Sequence, residues 1–340
     1  MKVTYSTPCD ELLRAVNFPG HDSVINPVAN LTWESFSRPD DRERIRTMLA
    51  GRTMKQLTIA EIAAIDPNWN APSILEGMQG FAECAVRANY YHDVYAGTPL
   101  EGETALMAMT VPDSKRFVVV CAGGGYGGCC TMIEAFPLAK HLNDLGITAF
   151  VLYYRVGKAA HYPNPMDDLA AAIRYILERR AKFGVSGDDY GVMGFSAGGH
   201  LAATWGNESI GWKHYGLPRP SMLFLGYPVV TLCEEKPSGT ARNLLQEDRN
   251  DPAIQGKYSV DRQFTPSYPP TYLWQCTGDP SVPISHSRML ADLLERNHIP
   301  HIYETFEAKA HSWGLGTGTL AEGWLDRAVK FWDSLSGKNV

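Results

Sequence analysis

"DYGVMGFSAGGHLAATWG", residues 189–206, changes character at its middle. The first part, through Phe195, is apolar and compact, as expected of a buried strand. From Ser196 onward, small and apolar residues continue without a break, and the spacing predicts a helix. Between the two, Gly194-Phe195-Ser196-Ala197-Gly198 fits G-x-S-x-G, the pattern of a sharp strand-to-helix turn that lifts a serine clear of the backbone. Glycine on both flanks suits a turn with no room for side chains. Amides at the helix start favour negative charge beside that serine. The competing reading is an ordinary glycine-rich helix start.

The same alternation extends in both directions. "YYHDVYA" (90–96) and "TALMAMTVP" (104–112) read as two strands around a turn. "RFVVVC" (116–121) leads through "GGGYGG" (123–128) into a helix "MIEAFPLAKHLNDLG" (132–146). "ITAFVLYY" (147–154) precedes a helix opening at Asn164-Pro165, where proline suits the first turn. "TYLWQC" (271–276) precedes a helix carrying Met289, Leu290, Leu293 and Leu294, and "HIYETF" (301–306) precedes a last helix through Trp324 and Trp332. Nearly continuous apolar strands alternating with helices predict an α/β fold: a doubly wound, mostly parallel sheet flanked by helices. Ligands of such sheets bind beyond the carboxyl ends of the strands.

Residues placed there carry the chemistry. A serine hydroxyl needs a base, and the base an orienting acid, in the chain order Ser, Asp or Glu, His. Asp279 lies in the turn after "TYLWQC", and His311 in the loop after "HIYETF". Ser196, Asp279 and His311 are therefore the candidate catalytic residues. Asp279 also suits a plain turn before Pro280, and His311 a solvent-facing loop. Among the other histidines, His200 is expected to pack or cap, and His161 to line a pocket or sit on the surface. His286, His298 and His301 fall in or beside the helix after Asp279. His92, His141 and His214 have no motif around them, and His21 lies in the N-terminal part.

An attacked carbonyl develops an oxyanion, which needs backbone N–H donors already in place. Ala197 supplies one and the glycine loop the others, which makes Gly124, Gly125 and Ala197 the candidate oxyanion hole. That loop also satisfies G-x-G-x-x-G through Gly123, Gly125 and Gly128. A dinucleotide site, however, wants an acid near the end of the next strand, where this chain has Arg155. The Lys-Ser/Thr of a nucleoside-triphosphate loop is missing. No H-E-x-x-H or Cys/His cluster suggests a metal. The expectation is no cofactor.

Composition bounds the rest. The 340 residues are 44% hydrophobic and 20% charged, with a formal net charge of −6. That balance argues against a nucleic-acid partner or an anionic membrane surface. No run of about 18 apolar residues is present, so no membrane-spanning helix is expected. The start "MKVTYSTPCDELLRAV" lacks a secretory pattern, and the seven cysteines are odd in number and scattered. Reduced thiols and a cytoplasmic location are the expectation. Residues 1–87 read as a helical N-terminal extension and a candidate cap, and residues 88–340 as the catalytic domain. In the extension, Thr58 and Glu61 stand at capping-box spacing before Ile59, Ile62 and Ile65.

The motifs together resemble the α/β-hydrolase superfamily over residues 90–335, and within it the esterases and deacetylases related to acetyl-xylan esterases and hormone-sensitive lipases. The resemblance rests on "GGGYGG", "YYRVG…HYPNPMDDLAAAIRYI", "GFSAGGHLAA", "GDPSVP" and "HSWGLG" in that order. The chain departs from the pattern in having Ala122 before the glycines, and Ser312-Trp313 after the histidine. The resemblance implies a serine hydrolase cleaving short-chain carboxylic esters, with an acylated, for example acetylated, sugar or oligosaccharide as the small-molecule substrate. A peptidase or amidase, including a formamidase, could use the same triad. A non-catalytic binding protein on this scaffold is the alternative from another class. Tyr126, His161 and Trp313, with Trp205 and Trp212, are candidate pocket residues, although aromatic side chains are as often core. The sequence leaves oligomeric state open.

Overall fold

A computed structural model describes residues 1–18, 39–87, 90–187, 189–233 and 238–335. His21 lies outside the described residues. Eight strands form one sheet: β1 (Tyr91–Asp93), β2 (Ala105–Met109), β3 (Phe117–Cys121), β4 (Thr148–Tyr153), β5 (Tyr190–Phe195), β6 (Met222–Gly226), β7 (Thr271–Cys276) and β8 (His301–Phe306). Their order is β1-β2-β4-β3-β5-β6-β7-β8. The pairs β1–β2 and β2–β4 are antiparallel, and from β4 through β8 all neighbours are parallel. This is the mostly parallel α/β sheet that the strand–helix alternation predicts.

Register decides where the site falls. Cys121 pairs with Gly194, Gly194 with Leu225, Gly226 with Trp274, and Cys276 with Phe306. The carboxyl ends of β3, β5, β7 and β8 therefore line up, and the loops after them emerge along one edge. Strands β2 through β7 are buried along their whole length, which is why their sequences are continuously apolar. The edge strand β8 is only half-buried.

Before the sheet, the N-terminal part forms α1 (Cys9–Ala15), α2 (Pro39–Leu49), α3 (Ile59–Ala63) and α4 (Ala71–Ala85). The capping box at α3 forms: Glu61 N–H donates to Thr58 Oγ1 at 3.2 Å, and Thr58 N–H donates to Glu61 Oε2 at 2.8 Å. Beyond β3 come α5 (Thr131–Glu134) and α6 (Phe136–Asp144). The run 132–146, read as one helix, breaks at Ala135, whose φ of −136° interrupts the helical path just before Pro137. Helix α4 packs on α6 closely enough that a Cβ on Gly77 would stand 2.5 Å from the Pro137 nitrogen. Ile74, Met78 and Phe81 are buried there, each contributing about 1.5–3 kcal/mol, and the Phe81 and Phe136 rings lie 5.0 Å apart.

The remaining helices are α7 (Asn164–Glu178), α8 (Arg180–Phe183), α9 (Ser196–Trp205), α10 (Gly239–Leu245), α11 (Pro252–Lys257), α12 (Ser285–Arg296) and α13 (Trp324–Leu335). Two features carry no sequence announcement. Strand β6 fills the sheet between β5 and β7, and the connection from β6 to β7 contains α10 and α11.

Candidate active site

The turn between β5 and α9 is forced by crowding. A Cβ on Gly194 would lie 2.1 Å from the Gly198 carbonyl oxygen, and one on Gly198 would lie 2.2 Å from that of Cys121. Both obstacles are backbone, so neither can give way. Ser196 sits in the left-handed region at φ +52°, a conformation that costs a non-glycine residue about 1–3 kcal/mol. The neighbours Phe195, Ala197 and Gly198 are buried, whereas Ser196 remains half-exposed. Strain thus holds the hydroxyl outward at the mouth of α9.

The two loops that follow β7 and β8 bring Asp279 and His311 to that hydroxyl. His311 Nδ1 and Asp279 Oδ2 are 2.7 Å apart, and His311 Nε2 and Ser196 Oγ are 3.1 Å apart. A carboxylate only accepts hydrogen bonds, so Nδ1–H donates to Asp279 and Nε2 offers its lone pair to the serine O–H. Asp279 is itself fixed: its Oδ1 accepts the N–H groups of Ser281 at 2.8 Å and Val282 at 2.9 Å. Its side chain is fully buried. Burial disfavours the imidazolium of His311, but the hydrogen bond and charge of Asp279, followed by the charges of Glu134 and Asp66, outweigh it and raise the imidazole above its ordinary value.

The glycine loop after β3 faces the same serine. A Cβ on Gly123 would stand 2.9 Å from Ser196 Cβ. Gly123 N–H donates to Glu134 Oε2 at 2.7 Å, which removes it as a donor to substrate. The Gly124 carbonyl accepts the N–H groups of Gly127 at 2.9 Å and Gly128 at 3.2 Å. Gly124 holds φ +130°, and the space beside it admits no side chain. Ala197 lies in the first turn of α9, whose N–H groups have no intrahelical partner. The N–H groups of Gly124, Gly125 and Ala197 thus have no backbone acceptor among the described residues.

The candidate pocket residues divide. Tyr126 is 1% exposed and its hydroxyl lies 2.9 Å from His200 Nδ1, so it anchors the glycine loop to the interior, where it lines a small cleft with Tyr162, His200, Leu244 and Tyr258. His200 Nε2–H donates to the Tyr258 carbonyl at 2.8 Å; burial pushes this imidazole down to about 4. Trp205 is wholly buried core. His161 stacks on Tyr162, with ring centroids 4.4 Å apart, and its Nε2 is 3.9 Å from Asp248 Oδ2. Trp313, two residues past His311, and Trp212 are half-buried against the core.

Three residues at the site escape sequence reasoning. Glu134, buried at the end of α5, accepts from both Gly123 and Tyr227. Tyr227 follows β6, and its ring lies 4.7 Å from the His311 ring. Asn243, on α10, donates its side-chain amide to the Gly125 carbonyl. A carboxylate inside the apolar run "MIEAF" is the one signal that could have found Glu134. Among the described residues, no group of three or more His, Cys, Asp or Glu is arranged to hold a metal ion.

Comparisons with known proteins point the same way. A family model described as BD-FAE matches residues 107–210. Endo-1,4-beta-xylanase B of Butyrivibrio fibrisolvens is 29% identical over 62% of this chain and 35% of its own length. Acetylxylan esterase of Xylanibacter ruminicola is 30% identical over 53% of this chain and 37% of its own. The chain thus spans about a third of the length of these curated relatives. A solved structure, the acetyl ester-xyloside bifunctional hydrolase of Caldicellulosiruptor lactoaceticus, superimposes with a TM-score of 0.63 at 30% identity, covering 73% of this chain and 94% of that one.

Proposed function

The chain belongs to the α/β-hydrolase superfamily of esterases, and on that premise we propose that it cleaves short-chain carboxylic esters, with acetyl groups on a sugar or oligosaccharide as its substrates. One observation carries the chemistry: a single imidazole, His311, bridges the strained Ser196 hydroxyl and a buried carboxylate, Asp279. The names of the xylan-active relatives support the sugar side of the reading.

The mechanism follows from the donors and acceptors. Ser196 Oγ attacks the ester carbonyl while His311 Nε2 takes its proton. Asp279 holds the tautomer that leaves Nε2 free, and stabilises the imidazolium that forms. The amides of Gly124, Gly125 and Ala197 receive the oxyanion, a term worth about 10²–10³ in rate per donor. The imidazolium then protonates the departing alcohol. In the second half, His311 activates water to release the acid from the acyl-serine. Every step draws on this chain's own side chains and backbone.

Residues 1–87 act, in this reading, as an extension that braces the histidine loop of the catalytic unit 88–340. Asn70 Nδ2 donates to the Thr317 carbonyl at 3.0 Å, and Ser73 Oγ lies 2.9 Å from Thr317 Oγ1. The seven free thiols support a reducing, cytoplasmic setting. No helix among the described residues is long and apolar enough to cross a membrane.

The test is a parallel hydrolysis screen of p-nitrophenyl esters, acetylated xylo-oligosaccharides and aminoacyl amides, with Ser196→Ala as control. Release of acetate from the sugars, lost in the variant, is the expected result. Turnover confined to the amides would replace the esterase reading with an amidase, and no turnover of any of them would count against hydrolysis.

A further inference from the structure

Glu134 is a buried carboxylate at the end of α5. Its residue is 1% exposed. Among the described residues no Arg or Lys pairs with it. Its Oε2 accepts Gly123 N–H at 2.7 Å, and its Oε1 accepts the Tyr227 hydroxyl at 2.8 Å. The Ser312 side chain also bonds to it. Tyr227 Oη in turn accepts Gly314 N–H at 3.1 Å. A protonated acid would need an acceptor. The Gly123 amide offers none, and the Ser312 and Tyr227 hydroxyls could accept only by giving up the donor role they hold here. Burial raises this carboxyl above its ordinary value, while the donors aimed at it favour the ionised form.

A buried anion is costly unless something compensates it. Here a cation close to it is the imidazolium of His311, which forms when the ring takes the proton of Ser196 or, at low pH, one from solvent. Glu134 also touches each part that must stay in register: the glycine loop through Gly123, the histidine loop through Tyr227, Ser312 and Gly314. A Cβ on Gly123 would be 2.6 Å from Glu134 Oε2 and 2.9 Å from Ser196 Cβ, so the carboxylate and the reacting serine both border the space beside Gly123.

We propose that Glu134 is a positioning residue and second acid of the site, locking the glycine loop to the histidine loop and stabilising the His311 imidazolium alongside Asp279. The inference rests on the serine-hydrolase reading above. The charged and titratable groups facing His311 are Asp279, Glu134, Asp66 and Tyr227. Activity requires neutral His311, so kcat/KM falls as pH drops through its pKa. Glu134 raises that pKa; removing the charge moves the acid limb to lower pH.

The experiment measures the pH dependence of kcat and kcat/KM on p-nitrophenyl acetate for the parent, Glu134→Gln, Glu134→Asp and Ser196→Ala. For E134Q the expected result is an acid limb about one pH unit lower and kcat down about tenfold, with KM little changed. E134D keeps the charge and shortens the reach, so its acid limb stays at the parent position while kcat falls. An E134Q profile with an unmoved acid limb and kcat within about twofold of the parent overturns the proposal. An inactive parent, or a fully active S196A, overturns the hydrolase reading instead. Should E134Q not fold, infrared spectra of the intact protein with ¹³C-glutamate decide: the proposal expects no protonated-carboxyl band at pH 7, and a band that shifts with the label overturns it.

Discussion

Asn243 donates its side-chain amide to the Gly125 carbonyl at 2.8 Å, tying the connection between β6 and β7 to the glycine loop after β3. With its carbonyl held there, the Gly125 peptide is fixed in orientation, and so are the amides beside it. Asn243→Ala removes that hold without touching Ser196. A hydrogen bond of this kind contributes about 1 kcal/mol. We expect kcat on p-nitrophenyl acetate to fall about fivefold, with a smaller change in thermal stability, checked by steady-state kinetics beside a melting curve.

Asp279→Asn separates geometry from charge. The Asn oxygen can still accept from Ser281 and Val282, so the turn survives. Its amide then faces His311 Nδ1, favouring the tautomer that protonates Nε2 and blocks the serine proton. The expected loss in kcat is on the order of 10³–10⁴, with circular dichroism unchanged. A loss below about tenfold would remove Asp279 from the role assigned to it.

Gly198→Ala tests the crowding at the turn. The new Cβ would meet the carbonyl oxygens of Cys121 at 2.2 Å and Ala122 at 2.4 Å. Backbone on both sides must move, at a cost of about 3 kcal/mol or more. Gly256→Ala is the comparison, because nothing lies within 4 Å of its Cβ position. There the expected change is neutral to stabilising by up to about 1 kcal/mol. Urea unfolding of both variants measures the contrast.

Stability depends on pH through His200. Burial lowers this imidazole from its ordinary value of 6.5 to about 4. Between those values the unfolded chain takes up a proton that the folded one refuses. The contribution is therefore fully present above pH 6.5 and is lost as pH falls toward 4. Its size is about 3 kcal/mol. Urea midpoints across this window should drop for the parent and drop less for His200→Gln, which keeps a donor for the Tyr258 carbonyl. Equal slopes would show that other groups carry the acid sensitivity.

What could be read from the sequence follows what each residue's neighbours are. Ser196, Asp279 and His311 each stand a few residues past an apolar strand, so chain order alone places them at one edge of a parallel sheet. The helix-starting signals at Thr58 and Pro165 are equally local. Strand β6 escaped because five buried residues inside "SMLFLGYPVV" have no alternation and no clear helix behind them. Glu134, Tyr227 and Asn243 escaped for a different reason. Their partners lie 11, 93 and 118 positions away in the chain, and only the folded sheet brings them together. The hydrogen bond of Tyr126 to His200, 74 positions away, was illegible for the same reason.

Ser196 as nucleophile is the claim on which the rest depends. The direct measurement is intact-protein mass spectrometry after treatment with a fluorophosphonate, followed by peptide mapping. The account predicts one phosphonyl adduct, on Ser196, absent in Ser196→Ala and strongly slowed in Asp279→Asn. An adduct on another residue, or labelling that persists at full rate in Ser196→Ala, would contradict it.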